Sequence, residues 1–481
     1  MTEITVVSAR SAPVRSARDQ EQAGAGRPRH SSDLLTITRS MPPRAGKLRV
    51  AVLGAGAAGL CAARHLLSRP EAFYPPVVFE MADRVGGTWV YQECTGIYDN
   101  GWPIHSSMYR DLRTNLPKEV MMFPDFPFDP ELPSFLSHQD VLQYLESYCH
   151  HQGITPHIKF DTMVEKVQPV TGMTGKRKIT WEVTSCRASG GQQRDTFDSV
   201  FICNGHYSSP YIPSIPGLEH FKGLVLHSHS YRYPESFAGQ SVVVLGAGPS
   251  GVDISVELAG VGAQVILSHR KPPSKCLLPT GLQEAPPIEK VLEDGNLQFS
   301  DGSLACPQVL LLCTGYRFSY PFLDTTSLGI QVEDHWVSPL YKFLLPPAFP
   351  TLFIVGICKV ICPFLHFDCQ IQFALAVLDG TVTLPSQGEM EEQIERETEQ
   401  LREAGMELKH LLNMDSSQWD YYQTLASIAG FKPPLPVTKS LYEEVKRQRQ
   451  KRSQQYRELN YRIVSDTQWE LLEMQDSDQG H

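Results

Sequence analysis

Two glycine-rich turns, set far apart in one chain, carry the clearest chemistry in this sequence. Gly54, Gly56 and Gly59 follow the apolar run Leu48–Leu53 and open the stretch Ala57–Leu67; Gly246, Gly248 and Gly251 follow Ser241–Leu245. Each set reads G-x-G-x-x-G between a predicted strand and a predicted helix, the context that gives the motif physical content. The first glycine permits the tight turn, the second lets backbone approach a pyrophosphate, and the third lets helix pack closely on strand. The helix N-terminus adds partial positive charge. Ala57 and Ala58 complete the first candidate phosphate cradle, and Pro249 and Ser250 the second.

The charge that follows each turn separates the two ligands. Glu80 closes the strand Val77–Phe79, 21 residues beyond Gly59, near the offset of about 20 expected of a ribose-binding acid. A carboxylate there accepts from ribose hydroxyls and repels a 2′-phosphate, so the first site should take FAD or NAD. Gly86, Gly87, Thr88 and Trp89 follow Arg84 in a small-residue turn, and Gly87, Thr88 and Trp89 are candidates for further cofactor contact. Beyond Gly251 by 19 residues stands Arg270, with Ser268, His269 and Lys271 beside it. Cationic and hydroxyl donors at a strand end complement a 2′-phosphate, which points to NADPH. The plainer readings are a glycine turn of some other α/β protein and surface basic residues at a strand end.

A flavin and a reduced nicotinamide in one chain imply hydride transfer from the second to the first. Two outlets for the electrons are common. A dithiol reductase needs a close redox-active cysteine pair after the first nucleotide unit, and Cys94 is alone there. Dioxygen is the other outlet.

Bulk properties agree with an enzyme acting on small molecules. The chain has 481 residues, 41% of them hydrophobic and 20% charged, with net charge -10. An acidic balance argues against a nucleic-acid partner, since phosphate binding is driven by Lys and Arg. Eleven cysteines are scattered without the density of a secreted disulfide scaffold, which fits a reducing compartment. Cys358 and Cys362 lack C-x-x-C spacing and read as buried thiols, and no metal set is expected. No apolar run reaches the ~18 residues of a membrane helix. Thr351–Phe367 comes nearest, broken by Lys359, Pro363 and His366, and reads as core strand and loop.

The expected fold class is α/β, with two Rossmann-like dinucleotide-binding domains, the NADPH domain inserted in the FAD domain, plus a C-terminal helical segment. The expected boundaries are 1–47 for a disordered N-terminal extension, 48–211 and 317–390 for the FAD domain, 212–316 for the NADPH domain, and 391–481 for a peripheral helical segment. Pro210, Pro213 and Pro216 mark one crossing, and Thr314-Gly315 after Val309–Cys313 the other. Lys446–Arg452 reads as a solvated helix face. The N-terminal extension lacks an apolar signal core. Arg10, Arg15 and Arg18 weakly suggest mitochondrial targeting, against which stand Glu3, Asp19 and Glu21; Met41 is an alternative start.

On these residues the chain resembles the flavin-containing monooxygenase family. Phe221, Gly223, His227 and Tyr231 fit its fingerprint F-x-G-x-x-x-H-x-x-x-Y. Glu80 with Gly86-Gly87-Thr88-Trp89, Asn204-Gly205-His206-Tyr207 and Thr314-Gly315-Tyr316 match further stretches, and the likeness runs from Leu48 to about Phe431. Leu112–Glu119 looks like the family's segment near the flavin ring. The resemblance implies that Thr114 and Asn115 meet the flavin, with Asn115 as the catalytic residue; spacing alone would make this stretch a turn. Gln370 matches a late flavin-domain segment. The implied activity is FAD- and NADPH-dependent transfer of one oxygen atom from dioxygen, through a flavin hydroperoxide, to a sulfide or amine. Tyr231-Arg232 is unlike the fingerprint ending of Baeyer–Villiger relatives. The polar ending Gln475–His481 is unlike the apolar anchor of microsomal members, so a soluble, cytoplasmic protein resembling plant, fungal and invertebrate members is expected. His227 and His229 read as structural or NADPH-domain contacts. An NADPH oxidase and a non-catalytic flavoprotein are the rival readings, and substrate and oligomeric state, a homo-oligomer included, stay open.

Overall fold

Val50–Leu53 forms a strand with all four side chains buried, as a near-continuous apolar run does in a sheet covered on both faces. Its neighbours are Val77–Phe79 and Ser199–Ile202, both parallel, with Leu53 opposite Phe79 and Ile202. Ile158–Lys159 and Leu352–Ile354 complete a five-stranded parallel sheet at its two edges. This computed structural model describes residues 46–98, 101–171, 179–272 and 278–472. The N-terminal extension up to residue 45, with its arginines and Met41, and the ending Gln475–His481 lie outside the described residues.

The second sheet has the same plan. Its order is Leu282–Ala285, Gln264–Ser268, Ser241–Leu245, Val309–Leu312 and Leu224–His227, all parallel. Because successive side chains of a strand point to opposite faces, Val242 and Val244 pack with Ile254 and Leu258 on one side, and Val243 with Phe299 and Leu310 on the other. Each such buried aliphatic side chain contributes roughly 1.5–3 kcal/mol. The edge strand Leu352–Ile354 returns to the first sheet after the second is complete, so the second sheet's segment is inserted in the first, as expected.

Thr351–Phe367 departs from the expected strand and loop. The strand spans only Leu352–Ile354, and Pro363 opens a 17-residue helix to Asp379. Proline is tolerated there because the first turn's N–H has no intrahelical partner. This helix packs on Ala57–Leu67, and the His65–Asp368 (2.6 Å) and Arg69–Asp379 (3.0 Å) pairs join the two.

The C-terminal segment is helical through Gln387–Glu403, Gln418–Ala429 and Pro436–Lys451. It differs from expectation in two ways. It ends in an antiparallel hairpin, Asn460–Ile463 with Trp469–Leu472, and it is not peripheral, since Tyr422, Leu425, Leu441 and Tyr461 join the main core. The basic run does lie on a helix face, where Lys446 pairs with Asp415 (2.6 Å) and Arg447 with Glu444 (2.5 Å). Among the described residues no helix is long and apolar enough to cross a membrane.

Candidate functional site

Both glycine turns sit at the carboxyl ends of parallel strands, where ligands of open α/β sheets bind. Gly54 has φ +105°, and a Cβ there would lie 2.6 Å from the Cys203 carbonyl oxygen; a Cβ on Gly59 would lie 1.8 Å from the Gly54 oxygen. Only glycine satisfies both the left-handed turn and the helix–strand contact. Gly246 and Gly251 repeat the pattern at 2.6 Å and 1.8 Å, against the oxygens of Cys313 and Gly246. The helices Ala57–Leu67 and Pro249–Gly260 both start at an extended glycine, Gly56 or Gly248, and neither carries an acid in its first turn. Their open N–H groups, including those of Ala57, Ala58 and Ser250, are a ready site for phosphate.

At the first turn the Gly56 and Gly87 backbones face each other, so that a Cβ on Gly87 would come within 3.0 Å of the Gly56 Cα. The result is a cradle with no side chains on its floor. Glu80 lies across it, accepting from Ala55 N (2.6 Å) and Ala82 N (2.8 Å). Burial pushes its carboxyl pKa up, opposed by the N–H groups of Ala82, Ala55 and Met81. Each carboxylate oxygen keeps lone pairs for a ribose hydroxyl. Thr88 is exposed in the one-turn helix Gly87–Trp89 and meets Ser107 (3.4 Å), while Trp89 packs partly against the core.

At the second turn Gly248 and Pro249 are exposed, and a Cβ on Gly248 would meet nothing within 4 Å. Here the residue lying across the turn is a cation, Lys271, which donates to the Ala247 carbonyl oxygen (2.9 Å). Arg270 is exposed beside it, with no carboxylate in ion-pair range among the described residues. Ser268 is buried and its hydroxyl donates to the Pro286 carbonyl (2.8 Å), so that donor is already used. His269 is engaged with Glu284 (3.3 Å). Of the basic cluster, Arg270 and Lys271 are therefore the residues available to an anion.

Thr114 is buried, bonded through N and Oγ1 to the backbone of Leu136. Asn115 beside it is half-buried, and among the described residues its amide has no hydrogen-bond partner. A half-buried amide in that state leaves its donors and acceptor open to a polar ligand or to water. Gln370, expected at the cofactor, has its amide engaged by protein partners. It is wholly buried, its Oε1 accepts from Gly356 N (2.9 Å), and its Nε2 donates to Tyr421 Oη (2.9 Å) and Phe343 O (3.3 Å). Its work is to hold the turn after Leu352–Ile354.

The fingerprint residues act structurally. His227 bonds the Gly315 carbonyl through Nε2 (3.1 Å) and accepts from His229 N through Nδ1 (3.0 Å). Burial holds its pKa down to about 4, so it is neutral near pH 7. The Tyr231 hydroxyl donates to Glu257 of the second helix (2.7 Å). Arg232, buried, donates to the carbonyls of Gln92, His229, Tyr231, Ser106 and Cys94, tying the loop after Trp89 to the second unit. Tyr207, Tyr316 and Phe318 form a ring-lined wall with His206 and His227. Tyr207 is 48% exposed on that wall.

Cys358 and Cys362 are free and buried, and burial pushes both thiols up. Cys61, His65 and Asp368 converge closely enough to suggest a metal. His65 is already bonded on both nitrogens, to Arg64 (3.1 Å) and Asp368 (2.6 Å), and the Cys61 thiol is held far above its usual range by burial. The group is a satisfied joint between two helices.

The description "Flavin-binding monooxygenase-like" matches residues 47–273 and 273–471. The Arabidopsis thaliana flavin-containing monooxygenase FMO GS-OX5 is 36% identical over 408 residues, covering 81% of this chain and 86% of that protein. FMO GS-OX-like 7 of the same plant is 41% identical over 360 residues, 71% of this chain and 76% of its own. Among solved structures, S-allyl-L-cysteine S-oxygenase from Allium sativum superposes with TM-score 0.78 at 35% identity, covering 86% of this chain and 95% of that one. Tmm from Pelagibacter sp. strain HTCC7211 gives 0.76 at 29% identity, covering 88% and 95%.

Proposed function

The chain belongs to the flavin-containing monooxygenase family, and from that membership and its two turns we propose that it uses FAD and NADPH to oxygenate small soft nucleophiles. It is a flavin-dependent monooxygenase; the proposal concerns which nucleotides it takes and what it acts on. The observation that carries it is the opposite charge laid across the two turns, the Glu80 carboxylate on Ala55 N and the Lys271 ammonium on Ala247 O.

The residues present fit both groups. The cradle of Gly56 and Gly87, the N–H groups at Ala57 and Ala58, the Glu80 oxygens and the Asn115 amide would hold FAD, with Thr88 and Thr114 beside it. The open turn at Gly248, Pro249 and Ser250 would take the NADPH pyrophosphate, with Arg270 and Lys271 on its 2′-phosphate. When bound, reduced FAD supplies the electrons that activate dioxygen, and the cofactor rather than a protein nucleophile does the chemistry. The protein's share is to hold the ring through Asn115, seat the substrate against the wall of Tyr207 and Tyr316, and exclude water. In the balance, a thioether, dioxygen, NADPH and a proton give a sulfoxide, NADP⁺ and water. The Allium sativum neighbour is named for S-oxygenation, which favours sulfur over nitrogen. Free cysteines throughout the described residues support a reducing compartment, the cytoplasm.

The test is turnover of a dialkyl sulfide by FAD-loaded protein under ¹⁸O₂. One labelled sulfoxide for each NADPH consumed is expected; NADPH lost wholly to hydrogen peroxide would make the protein an oxidase instead.

A further inference from the structure

Arg457 lies in the C-terminal segment, yet its guanidinium ends between the two nucleotide units. Nη1 and Nη2 donate to the two carboxylate oxygens of Asp253 (3.0 and 2.7 Å), and Nε donates to the Thr114 carbonyl (2.9 Å). Asp253 is on the helix Pro249–Gly260, two residues beyond the last glycine of the second turn; Thr114 immediately precedes Asn115. One planar group thus grips the nicotinamide-side helix and the flavin-side segment at once. The side chains of Arg457 and Asp253 are only 18% and 19% exposed. A two-pronged guanidinium–carboxylate contact of this kind fixes direction as well as distance.

The surroundings reinforce the grip. Tyr109 Oη donates to the same Asp253 carboxylate (3.3 Å). Arg113 pairs with Glu458 (3.0 Å) and donates to the Arg457 carbonyl (3.1 Å). Ser134 N donates to Asn460 Oδ1 (2.9 Å), and Tyr461 N to Ser134 Oγ (2.8 Å). Residues 457–461 are therefore stitched to Arg113, Thr114 and Ser134, a C-terminal strap against the segment that carries Asn115.

Resting on the proposed use of FAD and NADPH, we propose that Arg457 is a positioning residue. By clamping Asp253 to the Thr114 carbonyl it sets how the reduced nucleotide meets the flavin and how well the oxygenation site is closed. Hydride transfer depends steeply on geometry, and a misplacement near 1 Å can cost about a hundredfold.

The experiment compares wild type with Arg457→Ala, Arg457→Lys, Asp253→Asn and the Arg457→Ala/Asp253→Ala double variant. Each is measured for bound flavin, KM for NADPH, the rate of anaerobic flavin reduction by NADPH, and peroxide released per NADPH. Arg457→Ala should reduce flavin about tenfold more slowly or worse and divert a larger share of NADPH to peroxide, at unchanged flavin content. Asp253→Asn should move both readouts the same way by less, and Arg457→Lys should restore part of the loss. The double variant should be no worse than Arg457→Ala, because both changes remove one contact. Should Arg457→Ala fail to fold, Arg457→Lys and Asp253→Asn decide by the same two readouts. Folded variants with wild-type reduction rate and peroxide yield, and only a lower melting temperature, would make the contact a mere staple and overturn the proposal. A wild type that binds flavin but never transfers oxygen would defeat the proposed function instead, whatever the variants do.

Discussion

The two glycine turns share a backbone and differ in what lies over them. At the first, the Gly87 backbone faces that of Gly56 and a carboxylate, Glu80, lies across the turn. The second is open: Gly248 and Pro249 face outward and Lys271 bridges the turn from an exposed strand end. A turn lined by two facing backbones suits a nucleotide that stays, and a turn with nothing opposite Gly248 suits one that arrives and leaves. On the proposed reading, the same local geometry serves a resident cofactor at one turn and a consumed reductant at the other, with side-chain charge making the difference.

The sharpest way to separate the turns is to spoil each alone. Gly59→Ala and Gly251→Ala each force a Cβ to within 1.8 Å of a turn carbonyl, an overpacking of typically 1–3 kcal/mol or more. Gly59→Ala should yield colourless protein. Gly251→Ala should keep its flavin, read from the visible absorbance, and lose reduction by NADPH. Equal loss of flavin in both would mean that the two turns do not divide the ligands.

A smaller effect is expected at Glu80. Glu80→Gln keeps the shape but loses charge-assisted acceptors worth about 1.5–3 kcal/mol, so FAD should be retained roughly ten- to a hundredfold more weakly, by titration of the flavin-free protein. Unaltered affinity would remove Glu80 from the ribose.

How much of this was legible in the sequence follows from the range of each interaction. The strands, the turns and Glu80 were readable because they rest on contacts within a few tens of residues: period, glycine spacing and the charge at the next strand end. Asn115 could be named only through family resemblance, since Asn before a Leu-Pro pair reads locally as a turn. The protein partners of Gln370, Tyr421 and Gly356, were not readable because they meet it only in the fold. Ser268 looked free because Pro286 is remote in sequence. Arg457 sits in a stretch whose charge pattern suggests solvent, and nothing local reveals that it returns to Thr114 and Asp253. Lys271 was visible beside Arg270, but its reach across the turn was not.

The smallest expected effect concerns the wall of the second unit. Burial raises the Glu257 pKa to about 7, with Tyr231 donating to it. A carboxyl whose folded pKa exceeds its unfolded value favours folding fully below pH ~4.3, and that contribution is lost as pH rises through about 7. Glu257→Gln should therefore melt higher than wild type at pH 8 and much as wild type at pH 4; a difference independent of pH would mean that Glu257 stays charged.

The division of labour between the turns is tested most directly by the ratio of kcat/KM for NADPH to that for NADH, measured on wild type and Arg270→Ala. With Arg270 on a 2′-phosphate, the variant should lose at least about tenfold against NADPH, as for loss of one charge-assisted contact, while NADH turnover and flavin content hold. An equal loss with both nucleotides would contradict the assignment of the second turn.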